Sequence, residues 1–453
     1  MPFDQNLRRS RRQTAVVIKA ILKKEQGQDD PLAEVQRLAR TAGIEVLDCL
    51  YQRLDRPHPA TYLGKGKVEE VSNKAAELDV DLILTDNDLS PAQERNLEKM
   101  GSRTVIDRSQ LIMDIFAQRA QTHQAKLQVE LAQLRYSFPR LKRLWSHLSR
   151  YEGGIGMRGP GETQLETDKR LITTRIQRLV RELKGIERRK ETALLNRKNE
   201  FVVALVGYTN AGKSTLLNGL TNSRELVEDK LFATLDTRVR RWMLSSNRYV
   251  LLTDTVGFIR DLPHHLIASF HATLAETRQA DLLFHVIDAS SSDAPWQIQT
   301  VEKVLKELKC DDRPTWTVFN KWDAVTPENL IDARNLQFQA TTRGADANNG
   351  DGKKDGKKDG AKEIATSYIV SASTGDGLEG LEDGLTRYMR RQNSLLELSV
   401  PHDRGDVVSF IQENAEVQET DYRTDGVYIR FGISPAREAR LRHLYPDGFT
   451  PSP

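Results

Sequence analysis

Cysteine is nearly missing: Cys49 and Cys310 are the only two in 453 residues. They lie far apart and outside any His or Cys cluster, which excludes a disulfide framework and a structural zinc site and points to a reducing, cytoplasmic setting. Aromatic residues make up 6% of the chain. No apolar run approaches the roughly 18–20 residues that a membrane span requires, so an integral membrane protein is excluded. Charge of one sign is scarce too: 67 Lys and Arg against 64 Asp and Glu leave +3, too little to signal a polyanion partner unless the charges are unevenly spread. What is present is length for roughly three domains and 38% hydrophobic residues to build their cores.

Arg8, Arg9, Arg11 and Arg12 precede the apolar stretch Thr14–Leu22, but Lys19 interrupts it and Lys23 and Lys24 close it. That pattern reads as a first strand rather than a secretion signal, and the arginines are the one feature suited to a membrane surface. Onward to residue 107, β-like runs at Val16–Ile21, Ile44–Leu47 and Leu82–Thr85 alternate with helical stretches at Pro31–Thr41 and Val68–Leu78. The alternation predicts an N-terminal parallel α/β domain over 1–120. Next, Leu127, Leu131, Leu134, Phe138 and Leu141 are spaced 4-3-4-3, as are Ile172, Ile176, Leu179, Leu183 and Ile186. These predict two long helices paired as an antiparallel hairpin over 121–198.

The glycine-rich stretch 151–161 cannot be helical and becomes the tip of that hairpin. From Arg140 to Lys198 there are 16 Lys or Arg against 7 Asp or Glu, a local excess three times that of the whole chain. A basic helical face is often no more than a solvated surface. Here Arg150 and Arg158 flank glycines at 153, 154, 156 and 159, whose backbone can approach a ligand closely, so Arg150, Gly153, Gly154, Gly156, Arg158 and Gly159 are candidate RNA contacts.

A second α/β pattern starts at Phe201–Val206 and recurs at Tyr249–Thr253, Leu282–Ile287, Thr315–Phe319 and Ser367–Val370, predicting a doubly wound parallel sheet over 199–394. Inside it, residues 344–362 repeat Asp-Gly-Lys-Lys and read as a disordered insertion. Residues 395–453 read as a small α+β module, with Val427, Ile429 and Phe431 marking one face of a strand.

The chemistry is concentrated in the second α/β unit. Gly207-Tyr-Thr-Asn-Ala-Gly-Lys-Ser214 matches G-x-x-x-x-G-K-S between a buried strand and a helix over Thr215–Leu220. Such a P-loop points backbone N–H groups at phosphate, with Lys213 reaching the β and γ oxygens and Ser214 offering a hydroxyl to Mg²⁺. Downstream, Asp254-Thr-Val-Gly257 supplies Asp254 toward Mg²⁺ through water and the Gly257 N–H toward the γ-phosphate. Between them, Thr234 in Phe232–Asp236 is preferred over Thr237 as the second hydroxyl for the metal. Asn320-Lys-Trp-Asp323 follows a strand, and the Asp323 carboxylate can accept from guanine N1–H and N2–H₂, a donor pair that adenine lacks. Ser371-Ala-Ser373 can present an N–H to guanine O6. GTP is therefore expected over ATP. Phe258 stands where a water-orienting Gln often sits, which predicts slow hydrolysis until a partner positions the water. Asn210 is a candidate ligand for K⁺, although a turn-forming Asn explains it as well.

These residues resemble the HflX GTPases, a branch near the Obg-type translation-associated GTPases. The resemblance runs through Tyr62–Lys67, Leu89–Leu97, Asp114–Ala120, Leu127–Leu134, Gly153–Asp168, Phe232–Asp236 and Asp254–Phe258. It implies a GTPase that binds the large ribosomal subunit and its rRNA, reaches toward the peptidyl-transferase region with the hairpin tip, and promotes subunit separation under stress. It also implies residue roles. The phosphates fall to Gly207, Tyr208, Thr209, Asn210, Ala211, Gly212, Lys213, Ser214 and Thr215, with Phe232 and Gly257 in the switch segments. Mg²⁺ falls to Ser214, Thr234 and Asp254, and guanine to Asn320, Lys321, Asp323, Ser371, Ala372 and Ser373. Lys213, Thr234 and Gly257 carry the catalytic step, and nothing requires more than a monomer. Two rival readings are a constitutive RNA-binding protein with a structural GTP site, and an RNA-remodelling ATPase in the N-terminal domain. For the latter, Gly64-Lys-Gly-Lys67 is too short for a P-loop and reads as a basic turn.

Overall fold

The structure, a computed structural model, describes residues 12–22, 30–141, 160–195, 200–223, 231–232, 234–235, 238–245, 248–260, 277–310, 312–348 and 367–449. At the N-terminal end, β1 (Gln13–Leu22), β2 (Ile44–Leu54), β3 (Leu82–Thr85) and β4 (Thr104–Ile106) form a wholly parallel sheet in the order β2-β1-β3-β4. Its central strand carries the apolar run Ala15–Ile18 because both faces are covered. The covering helices are α1 (Ala33–Ala42), α2 (Lys65–Glu77), α3 (Pro91–Gly101) and α4 (Arg108–Arg119). Gly64-Lys-Gly-Lys67 is not a turn: Gly64 caps α2 and Lys65 begins it. α3 starts at a reciprocal capping box in which the Gln93 N–H donates to Ser90 Oγ and the Ser90 N–H to Gln93 Oε1, with Pro91 at the first helical position.

α5 (His123–Ser137) is shorter than the 4-3-4-3 spacing suggests, because Pro139 lacks the N–H that a continuing helix needs and Phe138–Arg140 forms a 3-10 turn. α6 (Pro160–Leu195) has 36 residues, about 54 Å of helix. Leu127 and Leu131 pack against Leu179 and Leu183, and Arg175 grips both oxygens of Glu130 at 2.7 Å.

The next sheet is built from β5 (Val202–Gly207), β6 (Arg238–Met243), β7 (Tyr249–Asp254), β8 (Leu282–Asp288), β9 (Thr315–Asn320) and β10 (Ser367–Ile369). Its order is β10-β9-β8-β5-β7-β6. All pairs are parallel except that of the edge strand β6, which runs antiparallel to β7. Among the described residues, its α-helices are α7 (Lys213–Thr221), α8 (Ala294–Glu307), α9 (Leu330–Asn348) and α10 (Leu378–Gln392). α9 corrects the expected insertion: residues 344–348 are helical, while 349–362 lie outside the described residues. Last come β11 (Ser394–Val400), α11 (Gly405–Asn414), β12 (Glu416–Arg423), β13 (Gly426–Ile433) and α12 (Pro435–Leu444). Their antiparallel sheet, ordered β11-β13-β12, buries Val427, Ile429 and Phe431.

One apolar cluster crosses from the first sheet to the second. Val35, Leu38 and Phe116 of the N-terminal unit share it with Leu231, Phe232, Phe258 and Ile259. The segments expected to respond to nucleotide are therefore packed against another part of the chain.

Candidate nucleotide site

The loop Gly207–Ser214 leaves β5 and enters α7 at Gly212, whose left-handed φ of 88° suits glycine. A Cβ there would lie 2.3 Å from Asn320 Nδ2, so the tight approach needs glycine as well. Asn210 also sits in the left-handed region, at φ 62°. Ala211 is buried just before α7 and Thr215 partly so in its first turn, where N–H groups and the helix dipole favour an anion. Lys213 Nζ donates to the Gly207 and Tyr208 carbonyls at 3.1 and 2.8 Å. Burial lowers its pKa to about 8, against the pull of the Asp254 carboxylate.

Three oxygens gather beside it. Ser214 Oγ donates to Asp254 Oδ2 at 2.6 Å, Thr234 Oγ1 donates to the same oxygen at 3.1 Å, and the two hydroxyls are 2.9 Å apart. Among the described residues, Asp254 Oδ1 is buried with no hydrogen-bond partner. Burial raises the carboxyl, while Lys213, Ser214 and Thr234 favour its charged form. Hydroxyl and carboxylate oxygens with one acceptor unspent suit a hard cation such as Mg²⁺. Thr237 lies outside the described residues.

Asp254–Phe258 lies directly on the P-loop. The Thr209 N–H donates to the Phe258 carbonyl at 2.7 Å, and the Phe258 N–H to the Gly207 carbonyl at 3.1 Å. At Gly257 a Cβ would come within 2.8 Å of Thr209 Cγ2 and 3.0 Å of Lys213 Nζ, so only glycine allows this approach. The Phe258 ring is buried in the shared core, and a hydrocarbon ring in any case offers no hydrogen bond to water. Phe232, placed among the nucleotide contacts by resemblance, turns its ring into the same core. Tyr208 likewise sends its hydroxyl to Glu34 of α1, at 2.8 Å.

Asn320 braces two loops: Nδ2 donates to the Ala211 carbonyl and Oδ1 accepts from the Ala372 N–H, both at 2.9 Å. Lys321, at φ 60°, pairs with Asp288 at 2.7 Å. Ser373 Oγ donates to Asp323 at 3.3 Å, and hydrogen bonding from Ser371 foremost holds the Asp323 carboxyl below its ordinary value. Asp323 thus stays an acceptor at neutral pH. The candidate RNA contacts Arg150, Gly153, Gly154, Gly156, Arg158 and Gly159 lie outside the described residues. Arg140, counted in the basic excess, is engaged by Glu94, Asp107 and the Leu89 carbonyl.

This assembly can be compared with known proteins. The family described as "GTP-binding GTPase N-terminal" matches residues 29–117, "GTP-binding GTPase Middle Region" matches 119–197, and "50S ribosome-binding GTPase" matches 202–321. A GTPase HflX of Lacrimispora saccharolytica is 42% identical over 400 residues, covering 88% of each chain. The chain belongs to the HflX GTPase family. A second HflX, from Escherichia coli, is 48% identical over 311 residues, which cover 68% of this chain and 73% of that one. A solved GTP-binding protein of Sulfolobus solfataricus in complex with GDP is 22% identical, covers 83% of this chain and 98% of that one, and has a TM-score of 0.41. Like the other HflX proteins, this chain is a P-loop GTPase that hydrolyses GTP. Among its described residues no helix is long and apolar enough to cross a membrane.

A group that the sequence reading missed joins the site to the N-terminal unit. Asp86, just after β3, takes Lys19 at 2.7 Å, Arg260 at 2.7 Å and Arg108. Arg108 also meets Glu34 and the Arg260 carbonyl, and the Arg260 N–H donates to the Tyr208 hydroxyl at 2.9 Å. Burial works to raise the Asp86 carboxyl, but Arg108, Lys19 and Arg260 together hold it below its ordinary value.

Proposed function

We propose that this HflX GTPase binds the large ribosomal subunit through its helical hairpin, hydrolyses GTP slowly alone and faster on the subunit, and promotes subunit splitting under stress. The carrying observation is α6, a helix of about 54 Å that exposes Arg170, Arg178, Arg181, Lys184, Arg188 and Arg189. Such a row matches the spaced negative charge of an RNA backbone. The match to the family described as "50S ribosome-binding GTPase" favours the same reading. Ser214, Thr234 and Asp254 would hold Mg²⁺, which neutralises phosphate charge when bound. Asn210 is the candidate for K⁺. The protein works in this reading as a cytoplasmic monomer.

The test is GTP hydrolysis with and without purified large subunits, on the intact protein and on one lacking residues 153–161. Stimulation that disappears with the deletion is the expected result. No stimulation, with subunit binding indifferent to GTP or GDP, would sink the proposal, because a switch requires different affinities in its two states.

A further inference from the structure

Thr234 reaches the metal position from a segment that is anchored in part by the N-terminal unit. Two residues before it, Phe232 holds φ 56°, a left-handed backbone that is unfavourable for an aromatic residue and persists only where the surroundings impose it. Two of the contacts that hold it come from helices of the N-terminal unit. The Phe232 ring meets Phe116 of α4 edge-on, with centroids 4.7 Å apart and planes at 84°, and both are almost wholly buried. Beside it, the Leu231 N–H donates to Thr41 Oγ1 at the end of α1, at 3.3 Å. Two residues of chain span at most about 7 Å. Fixing Leu231 and Phe232 therefore confines the Thr234 hydroxyl to the neighbourhood where it is found, 2.9 Å from Ser214 Oγ.

We propose that Phe116, with Thr41 as its second anchor, is a positioning residue for GTP hydrolysis, acting from the N-terminal unit through Phe232 to set Thr234 at the Mg²⁺ site. A hydroxyl fixed beforehand need not be ordered when metal and triphosphate arrive, so binding retains that ordering free energy. Outer partners that orient a ligand commonly account for 10–100-fold in metal affinity. The diphosphate complex has no γ-phosphate for this segment to close over and should be indifferent.

The experiment titrates Mg²⁺ against a fluorescent non-hydrolysable GTP analogue, and separately measures GDP affinity, in the wild type, Phe116→Leu and Thr41→Val. Phe116→Leu is expected to raise the Mg²⁺ needed for half-maximal tight binding on the order of tenfold and to lower kcat, with GDP affinity unchanged. Thr41→Val, which keeps its shape and loses only the hydroxyl, should shift Mg²⁺ dependence in the same direction by less, and it decides the matter if Phe116→Leu fails to fold. A Mg²⁺ shift in either variant that spares GDP upholds the proposal. Unchanged Mg²⁺ dependence, or GDP and analogue affinities falling together, overturns it and leaves these residues as packing alone.

Discussion

The two parallel sheets use the same topological position for opposite ends. At the C-terminal edge of a parallel sheet, loops converge and polar groups collect. In the six-stranded sheet this edge is opened by glycine and backbone beside the charged Asp254, Asp288 and Lys321: the glycine loop to Gly212 after β5, Gly257 after β7 and the Ser371–Ser373 loop after β10, with Asn320 as brace. In the four-stranded sheet it ends in charged side chains, Asp86 after β3 and Arg108 after β4, with Lys19 reaching them from inside β1. Glycine leaves room for a phosphate, whereas Asp86, Arg108 and Lys19 fill that room and are satisfied by each other, by Glu34 and the Pro31 carbonyl, and by Arg260 of the other unit. One edge binds a ligand and the other docks a neighbour.

The strongest blow to the docking edge is Asp86→Asn. Removing the charge of a buried acid that three cations share strips each of them of this carboxylate, so stability should fall by roughly 3–5 kcal/mol, read in denaturant unfolding. A loss under about 1 kcal/mol, as for an exposed pair, would show that the cluster is solvated and the comparison false. On the binding edge, Lys213→Ala should behave in reverse. GTP turnover should drop roughly 10²–10³-fold, while stability moves by only about 1 kcal/mol, since the lysine is held by two carbonyls and disfavoured by burial. Equal damage to stability in both variants would erase the distinction.

The binding edge was legible because its chemistry is local. Glycines, a lysine and a hydroxyl at fixed offsets carry the meaning of Gly207–Ser214 whatever surrounds them. The docking edge was not, since Arg260 and Asp86 are 174 residues apart and Arg108 and Glu34 are 74 apart. Neither pair has a spacing that sequence alone could join. The edge strands escaped for another reason. β12, Glu416–Arg423, is exposed along nearly its whole length, and β6 buries only Trp242, so no apolar alternation announced them. α3, by contrast, is written locally in Ser90-Pro-x-Gln93.

A smaller change sharpens what the binding edge reads. Asp323→Asn puts an amide, one acceptor oxygen and one NH₂ donor, where guanine needs acceptors for both N1–H and N2–H₂, so one guanine donor faces a donor. GTP affinity should fall about 100-fold or more, and inosine triphosphate, which lacks the 2-amino group, should lose less. If both nucleotides weakened equally, Asp323 would be supporting the loop through Ser373 rather than reading the base.

Acidity and alkalinity should break the two edges separately. Asp86 titrates below its ordinary 3.8 in the fold, so its contribution to stability is present above that value and disappears as pH falls through the folded pKa. Lys213 is the mirror case. Unfolded, it keeps its proton up to about 10.5, and folded it gives the proton up near 8. Between those values the unfolded chain carries more protons, so this group makes stability rise with pH. Phosphate, however, requires the charged lysine, and nucleotide binding above pH 8 must take a proton up. The GDP dissociation constant should therefore weaken by at most about tenfold from pH 8 to pH 9, in calorimetric titrations whose heat varies with the buffer's ionisation enthalpy. Lys213→Ala should remove that dependence. A flat wild-type profile would mean that Lys213 stays charged at the binding edge and that burial there is offset by Asp254 more fully than the low pKa implies.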